Sequence, residues 1–233
     1  MERLTHPGGL EITKRAFDIC GLPSSAKVLD IGCGSGDTAA YLNYEHGFAV
    51  IGIDKSAEAI SQAKEKHPGF EFMKGDGQSL DIESRSIDCV MMECALSLMA
   101  NPVEAVHEAF CVLKDGGYLI IHDLYIPQPS DEELETISQI KKAKAQPKEK
   151  GSCCDDGPSA YTIGGALVLE DINTELSELG FETILFEDRK SDMESYAASL
   201  IMDGHSLDEY CGAGRDKSQI SYFLLVARKS PAC

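Results

Sequence analysis

Five short apolar segments recur through the first half of the chain, each followed by a stretch with helical spacing or by a turn. They are Lys27–Ile31, Ala49–Ile53, Phe70–Lys74, Ile87–Met92 and Tyr118–His122. Short runs without polar alternation suit strands buried on both faces. Thr38–Tyr44, Ala57–Lys66 and Val103–Leu113 read as helices, with Ser56 placed to cap the second. Strands joined by helical crossovers run parallel, because the crossover returns the chain to the same end of the sheet. The pattern restricts the first half to an α/β layer structure with helices on both faces.

The flanking regions read differently. Leu10–Cys20 has the spacing of an amphipathic helix, and Gly21 is placed to end it. Ser130 to about Ala145 carries Asp131, Glu132 and Glu133 early, and the lysines from Lys141 onward come late. That is the order a helix dipole favours, so an exposed helix is expected. Lys148–Pro158 is a polar loop with an adjacent Cys153–Cys154 pair; Leu169–Leu179 and Ser191–Met202 read as helices, Phe181–Phe186 and Ile220–Ala227 as strands. At 233 residues the chain is expected to form a single domain. Its parts are an N-terminal helical lid (1–24), a ligand-binding half (25–125), an insertion or substrate-side segment (126–165) and a half that completes the sheet (166–233).

The strongest local signal is Asp30-Ile31-Gly32-Cys33-Gly34-Ser35-Gly36 between the first strand and its helix. Glycines there allow a sharp turn and close approach of a ligand to the main chain. A dinucleotide site wants G-x-G-x-x-G, and here Asp37 stands where the third glycine belongs; its carboxylate would repel a pyrophosphate. The Lys-Ser/Thr of a phosphate-binding loop is also missing. Asp30 suits a cationic ligand part, and S-adenosylmethionine has a sulfonium, an amino group and no phosphate. Asp54 ends the second strand, where a carboxylate accepts from ribose hydroxyls. Asp76 and Gly77 follow the third, placed to read an adenine edge. Ligands of such sheets bind at the strands' C-terminal ends, so the order of these residues carries the argument.

Charge narrows the partners. With 21 Lys and Arg against 39 Asp and Glu, the formal net charge is −18, which argues against nucleic acid and anionic membrane surfaces. No apolar run approaches the roughly 20 residues of a membrane span. Met1–Gly9 has no basic segment followed by an apolar one, so no leader is expected. Nine cysteines, an odd number without a C-x-x-C pair, point to a reducing cytoplasm. Cys20, Cys89 and Cys111 read as core residues, and no metal site is expected.

Val28-Leu29-Asp30-Ile31-Gly32-Cys33-Gly34-Ser35-Gly36, Gly52-Ile53-Asp54-Lys55-Ser56, Gly75-Asp76-Gly77 and Val112–Leu119 resemble the successive motifs of class I S-adenosylmethionine-dependent methyltransferases. The resemblance covers about residues 25–125. It implies a Rossmann-like seven-stranded sheet with the last strand antiparallel, and S-adenosyl-L-methionine as cofactor. It also implies that Asp30 and the glycines Gly32, Gly34 and Gly36 serve the methionine end, Asp54 the ribose, and Asp76 with Gly77 the adenine, with Cys33 and Lys55 also among the cofactor-binding residues. Glu93 matches a position that often contacts the methionine moiety. The stretch Glu93-Cys94-Ala95-Leu96 is not the (N/D)PP(Y/F) of DNA- and amide-modifying members, so a small-molecule acceptor is expected.

Glu93–Pro102, His122-Asp123-Leu124, Ile163–Ala166 and Glu178–Phe181 further resemble arsenite methyltransferases and their uncharacterised bacterial relatives. Arsenite enzymes bind the metalloid through thiolates. Two of their cysteine positions are Thr38-Ala39 and Thr162 here; Cys153, Cys154 and Cys211 are the remaining candidates. Arsenite methylation is therefore the alternative, together with non-catalytic binding of S-adenosylmethionine. If the acceptor needs a base, His122, Asp123 and Tyr125 near the strand ends are the candidates, with His6 brought in by the N-terminal segment. His46, His67 and His107 read as surface residues.

Overall fold

The structure is a computed structural model that describes residues 6–144, 160–204 and 219–231; Cys153, Cys154 and Cys211 lie outside them. The first half runs α1 (Gly9–Cys20), β1 (Lys27–Ile31), α2 (Asp37–His46), β2 (Ala49–Asp54), α3 (Ala57–Lys66), β3 (Glu71–Lys74), β4 (Ile87–Glu93), α4 (Pro102–Val112) and β5 (Leu113–Tyr125). The second half adds α5 (Asp131–Lys144), the short β6 (Thr162–Ile163) and β7 (Ala166–Leu167), α6 (Glu170–Leu179), β8 (Phe181–Asp188), α7 (Lys190–Met202) and β9 (Ser221–Lys229). A single 3-10 turn, Leu96–Leu98, follows β4.

The main sheet has the order β3-β2-β1-β4-β5-β9-β8. Neighbours are parallel from β3 to β5, and β9 runs antiparallel to both β5 and β8. This is the expected seven-stranded sheet with its last strand reversed. The sequence reading did not contain the β6–β7 hairpin, which attaches to the end of β5 through Tyr125 and Leu167.

Strand alternation divides the core into two layers. Val28, Cys89, Met91, Ile120, Leu224 and Val226 face one side, with Ile12, Phe17, Leu42, Ile60 and Met193 from α1, α2, α3 and α7. Leu29, Val90, Met92, Leu119, Ile121 and Leu225 face the other, with Val106, Ala109, Ile172 and Leu176 from α4 and α6. Burying a Leu, Ile or Val side chain contributes about 1.5–3 kcal/mol, so these layers hold the sheet in register.

Local chemistry sets the boundaries. The Gly21 N–H closes α1 on the Phe17 carbonyl with φ +57°, and Ser56 Oγ accepts from Ala59 N at the start of α3. Asn101 caps α4 with Pro102 behind it. One boundary differs from expectation: the strand expected over Tyr118–His122 already begins at Leu113 and takes in Asp115-Gly116-Gly117 as an irregularity, with Gly116 at φ +78°. Leu113 already pairs with Ile87, so the strand begins before the glycines. Among the described residues, no helix is long and apolar enough to cross a membrane.

Candidate active site

A cleft of about 520 Å³ opens over the C-terminal ends of β1, β2, β3 and β4. Gly32, Asp54, Lys55, Asp76 and Gly77 line one side, and Cys94, Ala95, Leu98 and Met99 the other. Five of the residues expected at the cofactor thus share one cavity. Cys33, Gly34 and Gly36 belong to the same loop but are not among the residues that line the cleft. A Cβ on Gly32 would lie 2.4 Å from Cβ of Ala95, and one on Gly36 would lie 2.4 Å from Cζ of Phe72. Both positions also have positive φ, so the loop packs against its neighbours only as glycine.

Asp54 holds this loop. Its Oδ2 accepts from the Gly34 N–H at 3.0 Å and its Oδ1 from the Ser56 N–H at 2.8 Å. Each oxygen keeps a lone pair for a further donor. Asp76 accepts from Gln78 N at 3.0 Å, and Lys55 Nζ lies 3.1 Å from it. Burial pushes the Asp76 carboxyl up, but the Gln78 hydrogen bonds and Lys55 offset this and hold it below the usual range.

Asp30 is buried behind the loop, and its Oδ2 has no hydrogen-bond partner. Burial, then the charges of Glu93 and Asp54, push its carboxyl well above the usual range. A buried oxygen of this kind calls for a donor or a cation. The site gathers carboxylates at Asp30, Asp54, Asp76 and Glu93, and among the described residues Lys55 is the one cation along the cleft wall. Such a donor set fits S-adenosylmethionine, which brings an ammonium, a sulfonium and ribose hydroxyls, and does not fit a pyrophosphate.

Glu93 ends β4 on the face that carries Cys89 and Met91, directly beside His122 of β5. Four groups surround its carboxylate. His6 Nε2 and Thr38 Oγ1 each lie 3.0 Å from Oε1, and His122 Nε2 and Thr13 Oγ1 each lie 3.1 Å from Oε2. Burial alone would raise this carboxyl; the adjacent imidazoles of His122 and His6 hold it well below the usual range. Burial also lowers His6, but Glu93 more than offsets it, so His6 ends above the usual imidazole range. His122 Nδ1 lies 2.9 Å from Tyr222 Oη, which also meets Cys94 Sγ at 3.0 Å.

The three expected base candidates separate. His122 joins Glu93 on one face of the sheet, whereas alternation sends Asp123 and Tyr125 to the other. Asp123 is buried and accepts from Ser97 N, Ser97 Oγ and Leu124 N. It thereby anchors the turn that carries Leu98 and Met99 to the cleft. Tyr125 donates to Asp188 at 2.9 Å, and burial, then Asp188, raises its hydroxyl further.

His6, Thr13 and Thr38 complete the polar knot. Sequence reasoning offered His6 as a candidate but gave neither threonine a role. The usable signal was position: Thr13 is a polar residue on the apolar stripe of α1, and it is buried.

The cysteines resolve along similar lines. Cys20 and Cys89 are buried as expected, while Cys111 is half-buried near His107. Burial keeps Cys33 and Cys94 protonated, aided by Asp30 and Asp123 respectively. His46 and His67 are half-buried rather than surface residues. His46 stacks on Phe48 with ring centroids 5.0 Å apart, and His67 Nε2 meets Asp37 Oδ1 at 2.8 Å.

Comparison with known proteins places this arrangement. Residues 22–203 match the profile of a family described as a methyltransferase domain. The ubiquinone/menaquinone biosynthesis C-methyltransferase UbiE of Campylobacter jejuni (serotype O:2) is 33% identical over 181 residues, covering 70% of this chain and 73% of the relative. Phthiotriol/phenolphthiotriol dimycocerosates methyltransferase 1 of Mycobacterium ulcerans is 33% identical over 115 residues, 48% of this chain and 41% of the relative, so the chain spans less than half of that protein's length. Among solved structures, phosphoethanolamine N-methyltransferase 2 of Haemonchus contortus with S-adenosyl-L-methionine superimposes with a TM-score of 0.69 at 18% identity. That match covers 99% of this chain and 55% of the other. The cyclase SpnF superimposes at 0.70 with 20% identity, covering 99% and 85%. These similarities establish the fold, which by itself does not fix a reaction.

Proposed function

The chain belongs to the methyltransferase-domain family, and from that premise we propose that it transfers a methyl group from S-adenosylmethionine to a small-molecule acceptor. The observation that carries the proposal is the acidic cleft at the strand ends, backed by the partnerless buried oxygen of Asp30. Bound there, the cofactor supplies an electrophilic methyl group on a positively charged sulfur.

The chain's own residues bind, orient and exclude water. Asp54 offers its remaining lone pairs to the ribose hydroxyls, Asp76 and the Gly77 main chain read the adenine edge, and Asp30 faces the ammonium end. Ala95, Leu98 and Met99 give the opposite wall an apolar surface that keeps water from the reacting centre. Alignment of methyl group and acceptor is the main contribution asked of the protein. Asp123 acts by position, fixing the Leu96–Leu98 turn through Ser97. His122 reaches the reacting end through Glu93, and Tyr125 secures the β5 end to Asp188.

The net charge of −18 favours a small acceptor that is neutral or cationic, or an anion held in a locally positive pocket. The relatives' quinone and phosphoethanolamine acceptors define the classes to try first. Kinship with arsenite methyltransferases is a finer proposal drawn from the sequence around Glu93–Pro102, and its cysteines Cys153, Cys154 and Cys211 lie outside the described residues. The test is a calorimetric titration with S-adenosylmethionine, followed by an acceptor panel of quinols, amines, thiols, phenols and arsenite, read as S-adenosylhomocysteine release. Tight cofactor binding with turnover of one class supports the reading. Failure to bind S-adenosylmethionine overturns it.

A further inference from the structure

We infer that His6, Glu93 and His122 form a binding site for one divalent metal ion of the zinc class. The three side chains come from the segment before α1, the end of β4 and the C-terminal part of β5, and their donor atoms all lie within 4.8 Å of one another. His6 is 3% and His122 0% exposed. Metal–ligand bonds of about 2.1 Å at angles of 90–110° set neighbouring donor atoms roughly 3.0–3.4 Å apart. The observed separations of 3.0 Å for His6 Nε2 to Glu93 Oε1 and 3.1 Å for His122 Nε2 to Glu93 Oε2 fall in that range.

The same distances would suit hydrogen bonds, but direction argues otherwise. Both Nε2 atoms are buried and neither makes an aligned hydrogen bond, although a carboxylate oxygen is close to each. The other ring nitrogens have partners that suit ligation through Nε2. His6 Nδ1 lies 3.1 Å from the Pro7 carbonyl, which only accepts, so Nδ1 carries a proton and Nε2 is the atom the ring would offer an ion. His122 Nδ1 lies 2.9 Å from Tyr222 Oη, a hydroxyl that can accept an N–H from it. Metal-bound histidines are held in this way, with the remote N–H given to a carbonyl or hydroxyl. Thr13 and Thr38 donate to the two oxygens of Glu93 and orient the carboxylate likewise.

Two imidazoles and one carboxylate are borderline ligands, suited to Zn2+ or Fe2+ and poorly to Mg2+ or Ca2+. Three protein ligands leave a coordination position open, as in metal sites that bind a substrate. Glu93 adjoins Cys94, which lines the cleft. That the open position would hold an acceptor through oxygen, nitrogen or sulfur rests on the methyl-transfer reading; the ion site itself does not.

The test uses untagged full-length protein stripped with a chelator and titrated with Zn2+ by calorimetry, then with Co2+ by electronic absorption. One equivalent per chain is expected, with a cobalt spectrum lacking thiolate charge-transfer bands. His6→Gln and Glu93→Gln, checked for folding by circular dichroism, are expected to weaken Zn2+ binding beyond the roughly 10- to 100-fold that loss of a supporting hydrogen bond causes. Tyr222→Phe is expected to fall within that smaller range. Absence of stoichiometric Zn2+, Co2+, Mn2+ or anaerobic Fe2+ binding by the folded wild type overturns the inference and leaves a proton-bridged cluster. Undiminished binding in both ligand variants, or a thiolate spectrum, overturns it by placing the ion elsewhere. S-adenosylmethionine titrated into the same metal-free protein separates the two ideas: cofactor binding without metal binding removes only the ion site, and the converse removes only methyl transfer.

Discussion

Asp54→Ala tests the cofactor site most directly, because the same carboxylate holds the glycine loop and faces the ligand. In the free protein it accepts from Gly34 N at 3.0 Å and Ser56 N at 2.8 Å. Both bonds lie in a partly exposed region where water can replace them, so their loss is expected to lower stability by about 1–2 kcal/mol. In the complex the variant also loses acceptors for the ribose hydroxyls. A hydrogen bond to a charged group contributes about 1.5–3 kcal/mol, which corresponds to a roughly 10- to 150-fold rise in Kd for S-adenosylmethionine. Asp54→Asn keeps one acceptor oxygen but turns an NH2 toward a backbone N–H or a ribose hydroxyl, so it is expected to fall between wild type and alanine. Calorimetry at 25 °C gives the affinities, and urea denaturation of the free proteins separates the stability component. An alanine variant within about 3-fold of wild-type affinity, with the expected stability loss, would show that Asp54 only braces the loop.

Gly36→Ala places a Cβ 2.4 Å from Phe72 Cζ at a residue with φ +79°; left-handed strain and overpacking together are expected to cost about 2–5 kcal/mol, read from the denaturation midpoint. Asp123→Asn turns an amide toward one of its donors, Ser97 N, Ser97 Oγ or Leu124 N; a loss of about 1–3 kcal/mol is expected, with weaker cofactor binding as the Leu96–Leu98 turn loosens, and unchanged affinity would refute the turn's role in the cleft. Asp188 accepts from Ser221, Tyr125 and Lys190, which outweigh burial and hold its carboxyl below the usual range. A depressed folded pKa means that its stabilisation is present above the unfolded value near 3.8 and lost as pH falls through the folded one. Asp188→Asn is therefore expected to flatten the acid limb of a stability–pH curve below about pH 4, and an unchanged limb would remove Asp188 from it.

The sequence by itself determined the strand order's raw material and the cleft's floor. Short apolar runs, helical crossovers and the Gly32–Gly36 turn are local features, each decided by residues a few positions apart. The acidic ends Asp54 and Asp76 reach the cleft because parallel strands all finish at the same edge. Even the division of His122 from Asp123 and Tyr125 was legible, since residues one apart in a strand face opposite ways. What only the tertiary structure decided is which distant groups meet. The register that sets Glu93 beside His122 comes from packing of β4 on β5, and no local pattern carries it. Nor does any pattern bring His6 across from the start of the chain, or Thr13 and Thr38 down from two different helices, onto one carboxylate. Partners separated by 55 to 87 positions are chosen by the burial of the whole sheet face, and that choice turns scattered polar residues into a site.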